Sequence, residues 1–130
     1  MTDTPERALK EAEEWLSSAR DKLIIVEDDE SASGVCCALA IHAIIRANDA
    51  LCLKFLKLKP TKHDDVSHIF SDLIKHKKLA PTGKRFIKLL EDAMTDKSGA
   101  DYGKEAFDCK DAKGYVEDAE EFVSFAKGYV

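Results

Sequence analysis

Apolar residues recur along this chain at three- and four-residue steps, and no stretch shows the two-residue alternation of a strand. The first helix is expected after Thr4, with Pro5 in the opening position, where a missing N–H costs nothing. Ala8, Ala12, Trp15, Leu16, Ala19 and Leu23 then share one face. The acidic run Glu27, Asp28, Asp29 and Glu30 interrupts the pattern and reads as a solvated turn. Ser31 or Ser33 is expected to cap a second helix reaching about Lys57, with Pro60 as its terminator because the ring cannot continue the hydrogen-bond ladder. The middle of this segment is apolar on nearly every side, so it is expected to be the central helix, covered by neighbours.

Three more segments follow. Thr61 and Asp64 resemble a capping box ahead of the stripe Val66, Ile69, Phe70, Leu73 and Ile74. Pro81 suits the first turn of a fourth helix carrying Phe86, Leu89, Leu90 and Ala93. The stretch Thr95 to Phe107, with Gly99 and Gly103, is expected to be a loop. Asp108 then caps a fifth helix whose face is Ala112, Tyr115, Val116, Ala119, Phe122, Val123 and Ala126. Short connections between five amphipathic segments predict an all-α, antiparallel bundle with an up-and-down four-helix core, in one domain over residues 1–130.

Composition agrees with helices: the 130 residues are 45% apolar and 35% charged, with 6 Gly and 3 Pro. The run Val35 to Ile45, broken by His42, is too short for a bilayer, which needs about 20 residues. No basic segment followed by an apolar one opens the chain, so a cytoplasmic protein is expected, without a membrane partner. Cys36, Cys37 and Cys52 fall on one predicted helix and no CxxC spacing occurs, so the four cysteines read as free thiols.

Charge is segregated. Residues 1–45 carry a net −6, residues 46–88 a net +7, and residues 89–130 a net −6. The basic middle holds Lys54, Lys57, Lys59, Lys62, Lys75, Lys77, Lys78, Lys84, Arg85 and Lys88. Such lysines either neutralise phosphates or form a solvated surface that balances acidic helices. Phe55, Phe70 and Phe86, the aromatics among them, fit core faces rather than a stacking platform.

Candidate chemistry is sparse. Asp64, His68 and Asp72, four apart with His63 and Asp65 nearby, are the only metal-ligand-type cluster, and the second half of a di-iron set is missing. Surface charge pairing and acids at a helix start explain them equally. His42 lies inside the apolar run, where a histidine is usually a core residue, and a hydrogen bond to Tyr102 is one arrangement open to it. Arg46, Asn48 and Asp49 are polar groups on the same apolar helix and must face a groove, an interface or solvent. No glycine-rich phosphate loop is present, and no cofactor is expected.

The segment from Ala38 through Ala47, Asn48, Asp49, Ala50 and Leu51 resembles the small-residue-rich second helix of HEPN domains (higher eukaryote and prokaryote nucleotide-binding), ending in their Ala-Leu signature. His63 to Leu73 is similar to the third helix of that family. Leu89 and Leu90 through Lys97, Ala100, Asp101, Tyr102 and Gly103 resemble its leucine-rich helix with a basic residue and Ala-x-Tyr, and Asp111 to Val123 its closing helix. The resemblance covers residues 6–127. Ribonuclease members carry an arginine, then four to six intervening residues, then a histidine, and no arginine here is so followed. The corresponding positions hold Lys97 and Tyr102. Lysine lacks the bidentate fork, and a phenol with a pKa near 10 is a poor base at neutral pH. The resemblance thus implies a non-catalytic binding domain: a homodimer that holds a nucleotide, RNA or a nucleotidyltransferase partner. Its alternatives are a divergent ribonuclease or toxin using Lys97, Asp101 and Tyr102, with His42 or Arg46 as further candidates, and a structural homodimeric adaptor. Binding would involve His42, Arg46, Asn48, Asp49 and Tyr102.

Overall fold

A computed structural model of the chain describes residues 2–103 and 106–130, apart from the side chain of His63. Among the described residues there are five α-helices and no strand: α1 (Pro5–Val26), α2 (Ser33–Leu56), α3 (His63–Lys75), α4 (Phe86–Tyr102) and α5 (Cys109–Lys127). Two short 3-10 turns, Glu30–Ala32 and Pro81–Arg85, lead into α2 and α4.

Local chemistry sets most of the boundaries. The Thr4 side chain accepts from the Arg7 N–H, closing the start of α1 beside Pro5. At α5 a reciprocal box forms, with Asp108 accepting from the Asp111 N–H at 2.8 Å and Asp111 from the Asp108 N–H at 3.0 Å. Elsewhere the caps differ from expectation. Ser33 opens α2 without acting as its cap and is fully buried, while Asp29 caps the preceding turn through Ser31. Neither Thr61 nor Asp64 caps α3, whose N-cap is Lys62 with no side-chain bond. α2 stops before Pro60 because Lys57 turns into the left-handed region (φ 63°) and returns its N–H to Leu53 O.

The largest correction concerns residues 95–102. They continue α4 rather than forming a loop, because Gly99 and Ala100 are buried and the left-handed residue that ends the helix is Gly103 (φ 67°). Lys104 and Glu105 lie outside the described residues. Likewise Pro81 opens a 3-10 turn, and α4 begins five residues later.

Long-range contacts give the directions. Ala19 O lies 3.5 Å from Cys36 Sγ, and Glu11 pairs with Arg46, so α2 runs back along α1. Arg20–Glu120 and Lys127–Glu13 run α5 antiparallel to α1. α2 packs against each of the other four helices. Continuous with the turn before it, Glu30–Leu56 is long and apolar enough by length and composition to cross a bilayer, which the shorter run Val35–Ile45 did not suggest. However, 61% of its apolar window is buried inside the protein. Cys36, Cys37, Ala40, Ile41, Ile44 and Leu51 are all fully enclosed, the role of a bundle's central helix.

A second packing centre joins α3, α4 and α5. Phe86 lies 5.2 Å from both Phe122 and Phe125, and Phe70 lies 5.6 Å from Phe122. Tyr129 extends the cluster to Phe55 of α2, and its hydroxyl accepts from the Ala80 N–H at 2.8 Å. Gly83 sits against this cluster, where a Cβ would meet Phe125 Cζ at 2.8 Å.

Candidate functional site

One surface of α2 carries His42 and, a turn later, Arg46 and Asp49. Their spacing of four and three puts them in line on the helix. α1 flanks this strip with Glu11 and Trp15, and the end of α4 with Lys97 and Asp101.

His42 is not enclosed as a core histidine. Its side chain is 30% exposed, Nε2 lies 3.0 Å from Asp101 Oδ1, and Trp15 stacks on its ring at 4.8 Å. The indole, placed by periodicity on the buried face of α1, is instead 37% exposed and serves as a cover for the imidazole. The other carboxylate oxygen of Asp101 takes Lys97 Nζ at 3.4 Å. Asp101 therefore stands between a histidine and an ammonium, an arrangement that can orient the imidazole. The group meeting His42 Nε2 is thus Asp101, and the neighbouring Tyr102 is three-quarters exposed.

Arg46 is the centre of the second half. Its guanidinium reaches Asp3 at 2.9 Å, Glu11 at 3.2 Å and Asp49 at 3.1 Å, and Lys59 adds a contact to Asp3 at 3.2 Å. Burial alone would raise Asp3, but hydrogen bonds from Arg46 and Lys59 prevail and hold it below its ordinary value. Glu11 is lowered chiefly by its hydrogen bond from Arg46. Asp49 goes the other way: burial raises it and the Arg46 contact only partly offsets this.

Asn48 does not belong to the strip. It is 1% exposed, on the inner side of α2, and its amide makes no hydrogen bond among the described residues. The expectation that it faces a groove, an interface or solvent is not met, because a few steps of about 100° each along the helix turn its side chain inward from the strip. Asp64, His68 and Asp72 do not converge either. Asp64 lines a depression with Glu91 between α3 and α4, while Asp72 lines another beside Phe55. Among the described residues no three metal-ligating side chains come together.

Trp15, Asp3, Glu11 and Lys59 complete the strip; Asp3 and Glu11 were not singled out from sequence, and Trp15 and Lys59 were placed in an apolar stripe and in the basic middle rather than here. The indole was hidden by its good fit to an apolar stripe. The others meet α2 only through the tertiary fold.

An all-helical bundle with a polar strip along a buried central helix is the class that these features define. A family model of the HEPN domain matches residues 5–129, and the chain belongs to the HEPN family. Comparison with curated proteins finds no match.

Proposed function

We propose that this HEPN domain is a non-catalytic binding or interaction domain. What supports the reading is the state of its arginines. All four face carboxylates: Arg7 meets Glu11, Arg20 meets Glu120, Arg46 meets three acids, and Arg85 meets Glu121 at 2.6 Å. A guanidinium so engaged is poorly placed to stabilise charge on a phosphate undergoing cleavage. Lys97, at the position where ribonuclease relatives are expected to carry arginine, is turned to Asp101. The domain works as a homodimer in the cytoplasm and presents its polar strip and basic middle to a nucleotide, RNA or a nucleotidyltransferase.

Purified protein incubated with mixed-sequence RNA, with and without chelator, tests this directly. No cleavage, and no growth arrest on expression, is expected. Metal-independent cleavage that is lost on Lys97→Ala with Tyr102→Phe would overturn it.

One observation favours a second reading, a divergent ribonuclease: the 3.0 Å contact between His42 and Asp101 beside Lys97. Were that reading right, His42→Ala and Asp101→Asn would each abolish the cleavage seen with the parent protein.

A further inference from the structure

The two ends of α2 open onto surfaces of opposite charge. At its start, the turn from α1 carries Glu27, Asp28, Asp29 and Glu30, all exposed, and no lysine or arginine occurs from Leu23 to Ile45. At its far end stand Lys54, Lys57, Lys59 and Lys62, also exposed, and no acid occurs from Ala50 to His63. Aliphatic side chains lie open at both places: Ile24, 67% exposed, with Ile25 and Val35 near the acids, and Leu56 and Leu58 among the lysines. We propose that these ends dock on each other, the acidic end of one copy of this chain against the basic end of the next. The contact lies away from the strip of His42 and Arg46, so it goes beyond the binding role given above and does not depend on it.

Charge, shape and distance together select a second copy as the occupant. Four carboxylates at one end match four ammoniums at the other. Neither set is neutralised within the chain: among the described residues none of the four acids makes an ion pair, and of the four lysines only Lys59 does, with Asp3. Beside the lysines lies a depression of about 310 Å³, lined by Phe55, Leu56, Ile69 and Leu73 with Asp72, His76 and Lys78, a receptacle for an aliphatic side chain such as Ile24. The pairing cannot close within one molecule, because the 24 residues of α2 hold its ends about 36 Å apart at about 1.5 Å per residue.

Either end taken alone would suit any partner of opposite charge. Their presence on one chain, matched in charge and each carrying aliphatic side chains, is what singles out this chain as its own partner. A phosphate backbone would leave Leu56 and Leu58 wet, and no three of the described acids converge on a cation site, whereas docking end on end removes both aliphatic sets from water. Unlike patches meet, so each copy keeps one end free, and addition runs on to a ring or a string instead of stopping at a pair. Opposite charges steer the ends together and salt screens them. Five aliphatic side chains make a small surface, so the contact belongs to the weak, transient class.

Sedimentation velocity of the full chain over a concentration series, before and after nuclease treatment, tests the proposal. At about 50 mM salt the average mass should climb with concentration past twice its value at about 1 M, where the Debye length is only about 3 Å. Glu27→Lys/Asp28→Lys and Lys57→Glu/Lys62→Glu should each lose this growth alone. An equimolar mixture of the two should associate again, since the first keeps its basic end and the second its acidic end; that recovery also shows both variants to be folded. Ile24→Ser, which leaves every charge in place, should weaken the association about tenfold. A mass that does not rise with concentration at low salt overturns the proposal. So does growth that survives either charge reversal, which would place the contact on another face, or growth that vanishes on nuclease treatment, which would make the basic end a seat for nucleic acid. RNA integrity on a gel, read in parallel, reports on the non-catalytic reading separately.

Discussion

Gly83→Ala is the sharpest test of how the aromatic cluster fixes the turn before α4. A Cβ at this position would lie 2.8 Å from Phe125 Cζ and 3.3 Å from Ile74 Cδ1. Carbon atoms pack at about 3.5–4.0 Å, so a gap of roughly 0.7 Å must open. The ring of Phe125 has neighbours on several sides, at 5.2 Å from Phe86, 5.3 Å from Tyr129 and 6.2 Å from Phe70, so its retreat disturbs them too. Overpacking of this kind costs about 1–3 kcal/mol. The alanine recovers about 0.4–1 kcal/mol by restricting the unfolded chain. A net loss of about 1–2 kcal/mol follows, lowering the melting temperature by about 5 °C in a domain of this size. Far-UV circular dichroism during heating, with a urea titration, measures both. In a Phe125→Ala background the ring is gone and Gly83→Ala should cost much less. A variant that melts at or above the parent, or a cost that persists without Phe125, would refute the reasoning.

Three further outcomes follow from the site and the core. Arg46→Met strands Asp49 beside an apolar neighbour and should cost about 2 kcal/mol, less than a fully buried pair because these side chains keep some solvent; adding Asp49→Asn should restore part of it in a double-mutant cycle, and strict additivity would count against the pair. Asp3 is depressed below 3.8 when folded, so its contribution is complete above that value and fades as pH falls through the lower folded one; Asp3→Asn should be less stable than the parent at neutral pH, and a gap that stays constant to about pH 2 contradicts this. Burial pushes the thiols of Cys37 and Cys52 up to about 12 and raises that of Cys36, while Cys109 is half-exposed; an aromatic disulfide reagent should modify one thiol in the folded chain, and rapid reaction of two or more would sink the assignment.

The bundle was legible because its cause is periodic. Stripes such as Ala112, Val116, Ala119 and Val123 bury as their spacing demands. Boundaries were less so. Gly99 reads locally as a breaker, yet burial beside Ala100 keeps α4 intact past it. The site was legible only in part. Arg46 and Asp49 advertise themselves as polar residues on an apolar helix, but so does Asn48, which turns inward without a partner. Asp101 was visible beside Tyr102 as a candidate, but nothing local indicates which of the two meets His42. That choice depends on how α4 sits on α2, and periodicity alone does not determine it.

Because α2 touches each of its four companions, the molecule has no seam along which it can come apart in halves. Cleaving the connection between Lys57 and Lys62 would leave an α1–α2 hairpin with Ile41, Ile44 and Leu51 stripped of part of their cover, and a remainder lacking its axle. Neither piece should persist alone, so a protease that nicks this connection should yield fragments that stay associated or are digested completely.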